Sequence, residues 1–528
     1  ISKKVEKSEQ ELDATGCIVT PGFFDPHTHL DAQLCWDPTA SPSNLHGVTS
    51  VVMGLCGFGI APCQDDGGEY LLKSLQEVEE IPYASTAAGV DFQWSSWGEF
   101  AAHIERQALS INVAGFVPHT ALRYAVMGER ARGEEATAED IAAMRAQLAE
   151  GLAAGAVGFS TSRGPNHKDA YGDPVPSRFA TDNELAQLVS ECKNRLWQIN
   201  VKTKFSGDAD ALISEVEAYE AWTRAAGANF TWTPFHAEPG NNVWRDVLAH
   251  TQQVNADGLI VKPQIAAQPI TTSFRFDGFS YIMAVPDWRD IFQGFHKLSA
   301  EERKALFADA SVREIMARPP QNPDAQFAPK LEDWIVLDSP NHPEAVGNSL
   351  VWLGERWNIP AGQAMCDLIL GDDLMTSIQV PAVNRSGEAI AVFLNDHDTL
   401  IGLGDAGAHV NSINNYAYTT QILQDFVKGN GTLTLPKAIQ RMTSEPAQLH
   451  GLPARGRLLA GAPADVNVID LDQLSLNRLE TRHDLPTGAS RIWQSANGYR
   501  YVMVNGEVSI ESDKPTGASA GALLRVGA

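Results

Sequence analysis

A chain of 528 residues, 44% hydrophobic and 20% charged, has room for roughly two to four domains by the ~150-residue guide and is too apolar to be disordered as its main state. Forty Lys and Arg against 65 Asp and Glu leave a net charge of -25, which repels phosphate backbones and anionic lipid, and no basic patch offsets it, so nucleic acid is excluded as a partner. No run of about 18 apolar residues suggests a membrane span. Six cysteines without a CxxC pair fit a reducing, cytoplasmic setting rather than a disulfide scaffold.

Residues 1–14 contain no apolar run of the signal-peptide kind. From residue 17 to 455, short apolar runs alternate with helical patterns, which predicts a parallel sheet. The strands expected are 18–29, 47–56, 111–119, 156–161, 196–204, 229–236, 258–264 and 399–405. Two of the intervening units show the reasoning. Thr137 with Asp140 three residues on predicts a capped helix, Ile141, Met144, Leu148 and Leu152 form its apolar stripe, and Gly155 stops it. Leu212, Val216, Tyr219 and Trp222 repeat the pattern before Gly227. Eight such strands with helices between them predict an α/β fold, a (β/α)8 TIM-like barrel.

The interval of about 269–373 is too long for one barrel unit. It carries Phe274, Phe276, Phe279, Tyr281, Trp288 and Phe292, and reads as an insertion near the barrel mouth. After residue 455 the pattern changes to turn-punctuated strands at 464–470 (ADVNVID) and 499–508 (YRYVMVNGEV), so 456–528 reads as part of a small β domain.

Two motifs carry chemistry. In residues 21–31, PGFFDPHTHLD, His27 and His29 lie two apart at a strand end, so both imidazoles face one spot, with Asp25 and Asp31 on either side. That is a metal-ligand pattern. In residues 399–410, TLIGLGDAGAHV, an apolar strand ends at Asp405 among small residues, leaving the carboxylate open to a metal or a water. A helix-capping aspartate is the plainer reading of that motif alone. The histidine pair tips it toward a ligand that also shuttles protons. No GxSxG elbow exists, so a serine hydrolase is not expected.

Taken together, PGFFDPHTHLD, GVTSVVMGLCG (47–57), LGDAGAH and TSEPAQLHGLPARGRLLAGAPADVNVIDLD (443–472) resemble the metal-dependent amidohydrolase superfamily, and within it the N-acyl-D-amino-acid deacylase (D-aminoacylase) branch. The resemblance covers nearly the whole chain. It implies a zinc hydrolase on a barrel with a small β-sandwich built from both chain ends, residues 1–16 being a remnant of the N-terminal strands. It implies that His27, His29 and Asp405 bind metal, that Asp405 is also the general base and then acid, and that Cys56 is a further ligand. The ordinary alternative for Cys56 is a buried small hydrophobe. His236, in TPFHAEPG, falls where the family's strand-six histidine is expected, as a ligand or a substrate contact. Strand five reads NVKTK and has no histidine, so the resemblance leaves one or two zinc ions, or another divalent metal, with one bound strongly. His119 and Arg123, in PHTALR, resemble the branch's substrate-side pair, while Lys202, Lys204 and His409 are further candidate substrate contacts. Residues 160–167, STSRGPNH, are expected to line the pocket.

The expected activity is metal-assisted hydrolysis of the C–N amide bond of an N-acyl amino acid or similar N-acyl amine. The alternatives are a cyclic amide or imide hydrolase or a deaminase of the same superfamily, or a catalytically silent binding barrel. The expected partner is a small N-acyl molecule, with no nucleic acid and no membrane, and homo-oligomerisation is left open.

Overall fold

The computed structural model describes residues 11–64, 67–203, 207–277, 281–318 and 330–527. Eight short parallel strands make the barrel: β1 Phe23–Asp25, β2 Val48–Met53, β3 Asn112–Gly115 resumed at Val117–Pro118, β4 Gly158–Ser162, β5 Leu196–Asn200, β6 Asn229–Thr233, β7 Val261–Ala266 and β8 Leu400–Gly402. Each pairs with the next, from Asp25 against Val51 to Ile401 against Ile265. Just past β1 and β8, a parallel bridge between Thr28 and Ala406 closes the ring. All eight predicted strands are present.

Period-two alternation explains what each strand does. On β5, Trp197 turns outward, stacks on Phe230 of β6 at 4.4 Å and donates its indole N–H to Thr223 of the helix Ala209–Ala226. Gln198, one residue on, turns inward and reaches Cys56 across the barrel. Helix ends follow the predicted chemistry. Thr137 and Asp140 form a reciprocal capping box on the helix Ala138–Ala153, and Gly227 caps Ala209–Ala226 in the left-handed region at φ 63°.

The first predicted strand differs from the structure. It splits at Gly22: Ile18–Pro21 leaves the barrel to pair antiparallel with Val466–Ile469, and only Phe23–Asp25 belongs to the barrel. The resulting β domain is a five-stranded antiparallel sheet in the order Ile18–Pro21, Val466–Ile469, Tyr499–Val504, Glu507–Glu511, Lys514–Pro515. Residues 1–10 lie outside the described residues, and 11–17 form no strand. The buried Asp465 carboxylate fastens this domain to the barrel, accepting from Asn112 on β3, Arg455 and the backbone of Asn505.

Between β7 and β8 the chain builds a three-stranded antiparallel sheet, Ile270–Phe274, Ser377–Val383, Ile335–Asp338, and short helices with their own apolar cluster around Phe276, Trp288, Phe307, Trp334 and Leu353. Phe279 lies outside the described residues. This unit meets the segment after β8, where Ser273 N–H donates to Ser412 O at 2.6 Å and the Gln379 amide to Asn414 at 3.4 Å.

Strand β4 starts where no side chain fits: a Cβ on Gly158 would stand 1.5 Å from the backbone oxygen of Leu196. Gly158→Ala is therefore expected to prise β4 from β5 at a cost of about 1–3 kcal/mol or more. A urea titration reads this as a lowered midpoint, and an unchanged midpoint contradicts so close an approach.

Candidate metal centre

The strand ends that matter lie at one mouth of the barrel. His27 and His29 follow β1 in an extended run held by the backbone pairs Thr28 N–H to Val52 O and His29 N–H to Ala406 O. Their rings stand 5.3 Å apart, and both are buried. Cys56 follows β2 in a short turn, Leu55–Gly57, with its own backbone in the left-handed region at φ 53°. Three braces hold that turn. Gln198 accepts the Cys56 N–H at 2.8 Å, Ser160 Oγ accepts the Gly57 N–H at 3.1 Å, and Asp31 accepts the Gly54 N–H at 3.0 Å. Ligand atoms of His27, His29 and Cys56 then lie within 4.8 Å of one another, with Cys56 Sγ 3.5 Å from His27 Nε2.

Asp405 reaches this group from beyond β8. Its Oδ1 is 3.4 Å from His27 Nε2 and 4.0 Å from His29 Nε2. Gly407 lets the chain pass: at φ +87° it sits where a Cβ would be 2.7 Å from His29 O. Asp405 is 16% exposed whereas His27 is 1%, so the carboxylate is the member of the group that meets solvent.

Burial sets the protonation states. It lowers the pKa of His27, and lowers that of His29 far below the ordinary range with the help of the neighbouring histidines, so both rings are neutral and offer lone pairs. His27 Nδ1 is 2.5 Å from Gln264 Oε1, an amide acceptor that places the proton on Nδ1 and leaves Nε2 free toward Cys56 and Asp405. Burial, reinforced by Glu79 and Asp405, pushes the Cys56 thiol well up. Burial likewise raises Asp25 to about 8, Asp31 to about 7 and Glu79 to about 8. A pocket that disfavours its own anions this strongly suits a bound dication, which reverses the balance for a thiol. Two imidazoles, a thiol and a carboxylate are also a zinc-type donor set.

The remaining expected site residues divide. His236 follows β6 and is buried, its pKa lowered to about 3 by burial; like Asp405, it is not among the three residues whose ligand atoms lie within 4.8 Å of one another. His119 and Arg123 are fully buried and bound inward. His119 Nε2 and Arg123 Nε both meet Glu184 Oε1, at 3.0 and 2.9 Å, and the rest of the guanidinium bonds to the carbonyls of Ala131, Pro176 and Glu134. Burial raises Glu184, but His119 and Arg123 outweigh it and hold its carboxyl below the ordinary range. The pair expected to meet substrate is instead the internal brace between the helices His119–Met127 and Asp182–Val189.

Lys202 is exposed just past β5, and Lys204 lies outside the described residues. His409 is partly exposed between Glu79 and Glu80; burial opposes its charge, but Glu80, then Glu79 and Asp405, raise its pKa to about 9. From residues 160–167, Ser160 braces the Cys56 turn, and His167 bonds Ser162 at 2.7 Å and packs edge-on against Phe58.

Sequence reading missed Gln198, Gln264, Glu79 and Glu80. The two glutamines had a signal, being polar residues on the inward phase of apolar strands, LWQIN and VKPQIA. The glutamates end an ordinary helix and had none.

The family model described as "Amidohydrolase family" matches residues 10–233 and 360–510. The N-acyl-D-glutamate deacylase of Alcaligenes xylosoxydans xylosoxydans is 28% identical over 527 residues, 98% of this chain and 88% of its own. The N-acyl-D-aspartate deacylase of the same organism is 36% identical over 208 residues, 39% of this chain and 37% of its own. Among solved structures, an N-acyl-D-glutamate deacylase from Bordetella bronchiseptica complexed with zinc and a phosphonate inhibitor superposes with a TM-score of 0.63 at 24% identity, covering 97% of this chain and 90% of that one. A D-aminoacylase structure gives 0.61 at 20% identity, with the same coverage of 97% and 90%. At these identities the two structures speak for the fold.

Because Glu184 and Arg123 are both fully buried, removing one leaves the other an uncompensated charge. Arg123→Ala is expected to cost about 3–5 kcal/mol of stability in denaturant unfolding. A variant that kept its stability but lost substrate affinity would return Arg123 to the substrate.

Proposed function

This chain belongs to the amidohydrolase family, and on that premise we propose that it is a metal-dependent hydrolase that deacylates an N-acyl amino acid, cleaving the C–N amide bond with an activated water. The observation that carries this reading is the convergence of His27, His29 and Cys56 within 4.8 Å, faced by the partly exposed Asp405 carboxylate. The relatives named N-acyl-D-glutamate and N-acyl-D-aspartate deacylases support the substrate class.

His27, His29, Cys56 and Asp405 are the residues that would hold a divalent ion, zinc by donor chemistry. Bound there, the ion supplies Lewis acidity that polarises the acyl carbonyl and brings the pKa of water from ~15.7 toward ~7. Every proton movement then falls to the chain. Asp405 accepts the proton of the attacking water on its carboxylate as the new C–O bond forms. It returns that proton to the amide nitrogen as the C–N bond breaks, giving a carboxylic acid and a free amine. His27 serves this step by holding its own proton on Nδ1 against Gln264, which leaves Nε2 as a lone-pair donor for the ion. The buried walls keep bulk water out and strengthen each charge contact. Of the candidate substrate contacts among the described residues, His409 is already engaged by Glu79 and Glu80, and we assign the substrate's carboxylate to the exposed Lys202.

No helix among the described residues is long and apolar enough to cross a membrane. The reading needs no macromolecular partner.

The test is metal content with hydrolysis of matched N-acyl-D- and N-acyl-L-amino acids. At least one zinc per chain and chelator-sensitive release of free amino acid are expected, while turnover that survives full metal removal would overturn the reading. Asp405→Asn is expected to lower kcat by about 10²–10⁴ with little change in KM. A variant in which only KM rose would remove Asp405 from proton transfer.

A further inference from the structure

One buried carboxylate beside the centre has no part in the function proposed above. Glu79 ends the helix Gly67–Glu79 and is 3% exposed. Its Oε1 stands 3.4 Å from Nδ1 of His29, and its Oε2 stands 3.8 Å from Nε2 of His409. The contact to His29 falls on the side of the ring away from the ligand group, because Nε2 is the atom 4.0 Å from Asp405. Glu79 is itself not one of the converging ligand residues.

His29 Nδ1 is buried and makes no hydrogen bond among the described residues. A buried ring nitrogen left in that state is costly, and the Glu79 carboxyl at 3.4 Å is an acceptor within reach to relieve it. His27 has the corresponding arrangement with a neutral partner, since its Nδ1 meets the Gln264 amide oxygen. The two ligand histidines are therefore backed by different groups, one an amide and one a carboxylate.

The helix end also grips the segment after β8. The His409 N–H donates to Glu79 O, Ser412 Oγ donates to Glu80 Oε2 at 2.5 Å, and His409 Nδ1 lies 3.5 Å from Glu80 Oε1. That segment needs a grip, because Asp405 at φ 46° and His409 at φ 48° both occupy the left-handed region that side chains with a Cβ avoid. The two acids divide the task. Among the described residues, Glu80 bonds to the segment through Ser412 and His409, whereas Glu79 meets both the segment and a ligand histidine.

We infer that Glu79 is a positioning residue of the metal centre, accepting a hydrogen bond from the Nδ1–H of His29 so that its Nε2 lone pair faces the ion, and tying that ring to the Asp405 segment through His409. The inference rests on the metal reading proposed above. A carboxylate behind a ligand imidazole fixes its tautomer and raises its basicity, and losing such a partner costs about 10–100-fold in metal affinity.

The experiment compares wild type with Glu79→Ala, Glu79→Gln and Glu80→Gln, measuring zinc affinity by competition with a chromophoric chelator and the absorption spectrum of the cobalt-loaded protein. Glu79→Ala is expected to bind zinc about 10–100-fold more weakly with an altered cobalt spectrum, Glu79→Gln to lose less because it keeps an acceptor oxygen, and Glu80→Gln to stay within about threefold of wild type. Wild type that takes up no zinc refutes the underlying metal reading. Wild type that binds, beside Glu79 variants of equal affinity and unchanged spectrum, overturns the positioning role alone. Equal weakening by Glu79→Gln and Glu80→Gln also overturns it, since that marks a general loosening of the segment. If Glu79→Ala does not fold by circular dichroism, Glu79→Gln decides: a loss beyond about threefold supports the inference and parity overturns it.

Discussion

The seam between the first and last barrel strands is the constraint on which the rest of the structure depends. The Thr28–Ala406 bridge and the hydrogen bond from His29 N–H to Ala406 O at 2.8 Å bring residues nearly four hundred positions apart in the chain into backbone contact. Closing the ring there sets His27 and His29 opposite Asp405. The approach is so tight that Gly407 admits no side chain against His29 O. A barrel closed anywhere else would leave the histidine pair and the aspartate on separate rims.

Around that seam the chain concentrates polar groups in a place with little water. Asp25, Asp31 and Glu79 are all raised toward neutrality by burial, and His27 and His29 are lowered. Such a site is poised for a cation, because a central positive charge relieves the penalty on the carboxylates and the neutral histidines offer it lone pairs. The neutral amides of Gln198 and Gln264 add orientation without adding charge. One accepts the Cys56 N–H and the other backs His27, so a left-handed thiol turn and an imidazole tautomer are both set by side chains from other barrel strands.

The inserted unit and the β domain act on this centre from outside. The inserted sheet rests on the segment after β8 through Ser273 and Gln379, and the helix end at Glu79 and Glu80 grips the same segment. The β domain is joined below, through Asp465 to β3 and through Ile18–Pro21, which runs straight on into β1. The inserted unit thus bears on the segment that carries Asp405, and the β domain on the strand that leads to His27 and His29.

The barrel was legible in the sequence because its evidence is local: apolar runs of strand length, capping pairs such as Thr137 with Asp140, and stop glycines such as Gly227. The centre was legible where its members sit at strand ends with a period-two relation, as His27 and His29 do, or stand alone among small residues, as Asp405 does. What the sequence could not disclose depended on contacts between distant segments. Arg123 and His119 carry the right chemistry for a substrate anion, yet they turn inward, because Glu184 on another helix is buried against them and a buried carboxylate must be neutralised. The first strand reads as one apolar run, yet it divides at Gly22, because Val466–Ile469 offers an edge to its first half. Glu79 reads as a helix-end acid, and only the closed ring puts it behind His29. Local pattern thus determined which elements form and which residue types stand at their ends. The tertiary structure decided which side chains meet, because burial charges a polar group for every partner it lacks, and those partners come from elsewhere in the chain.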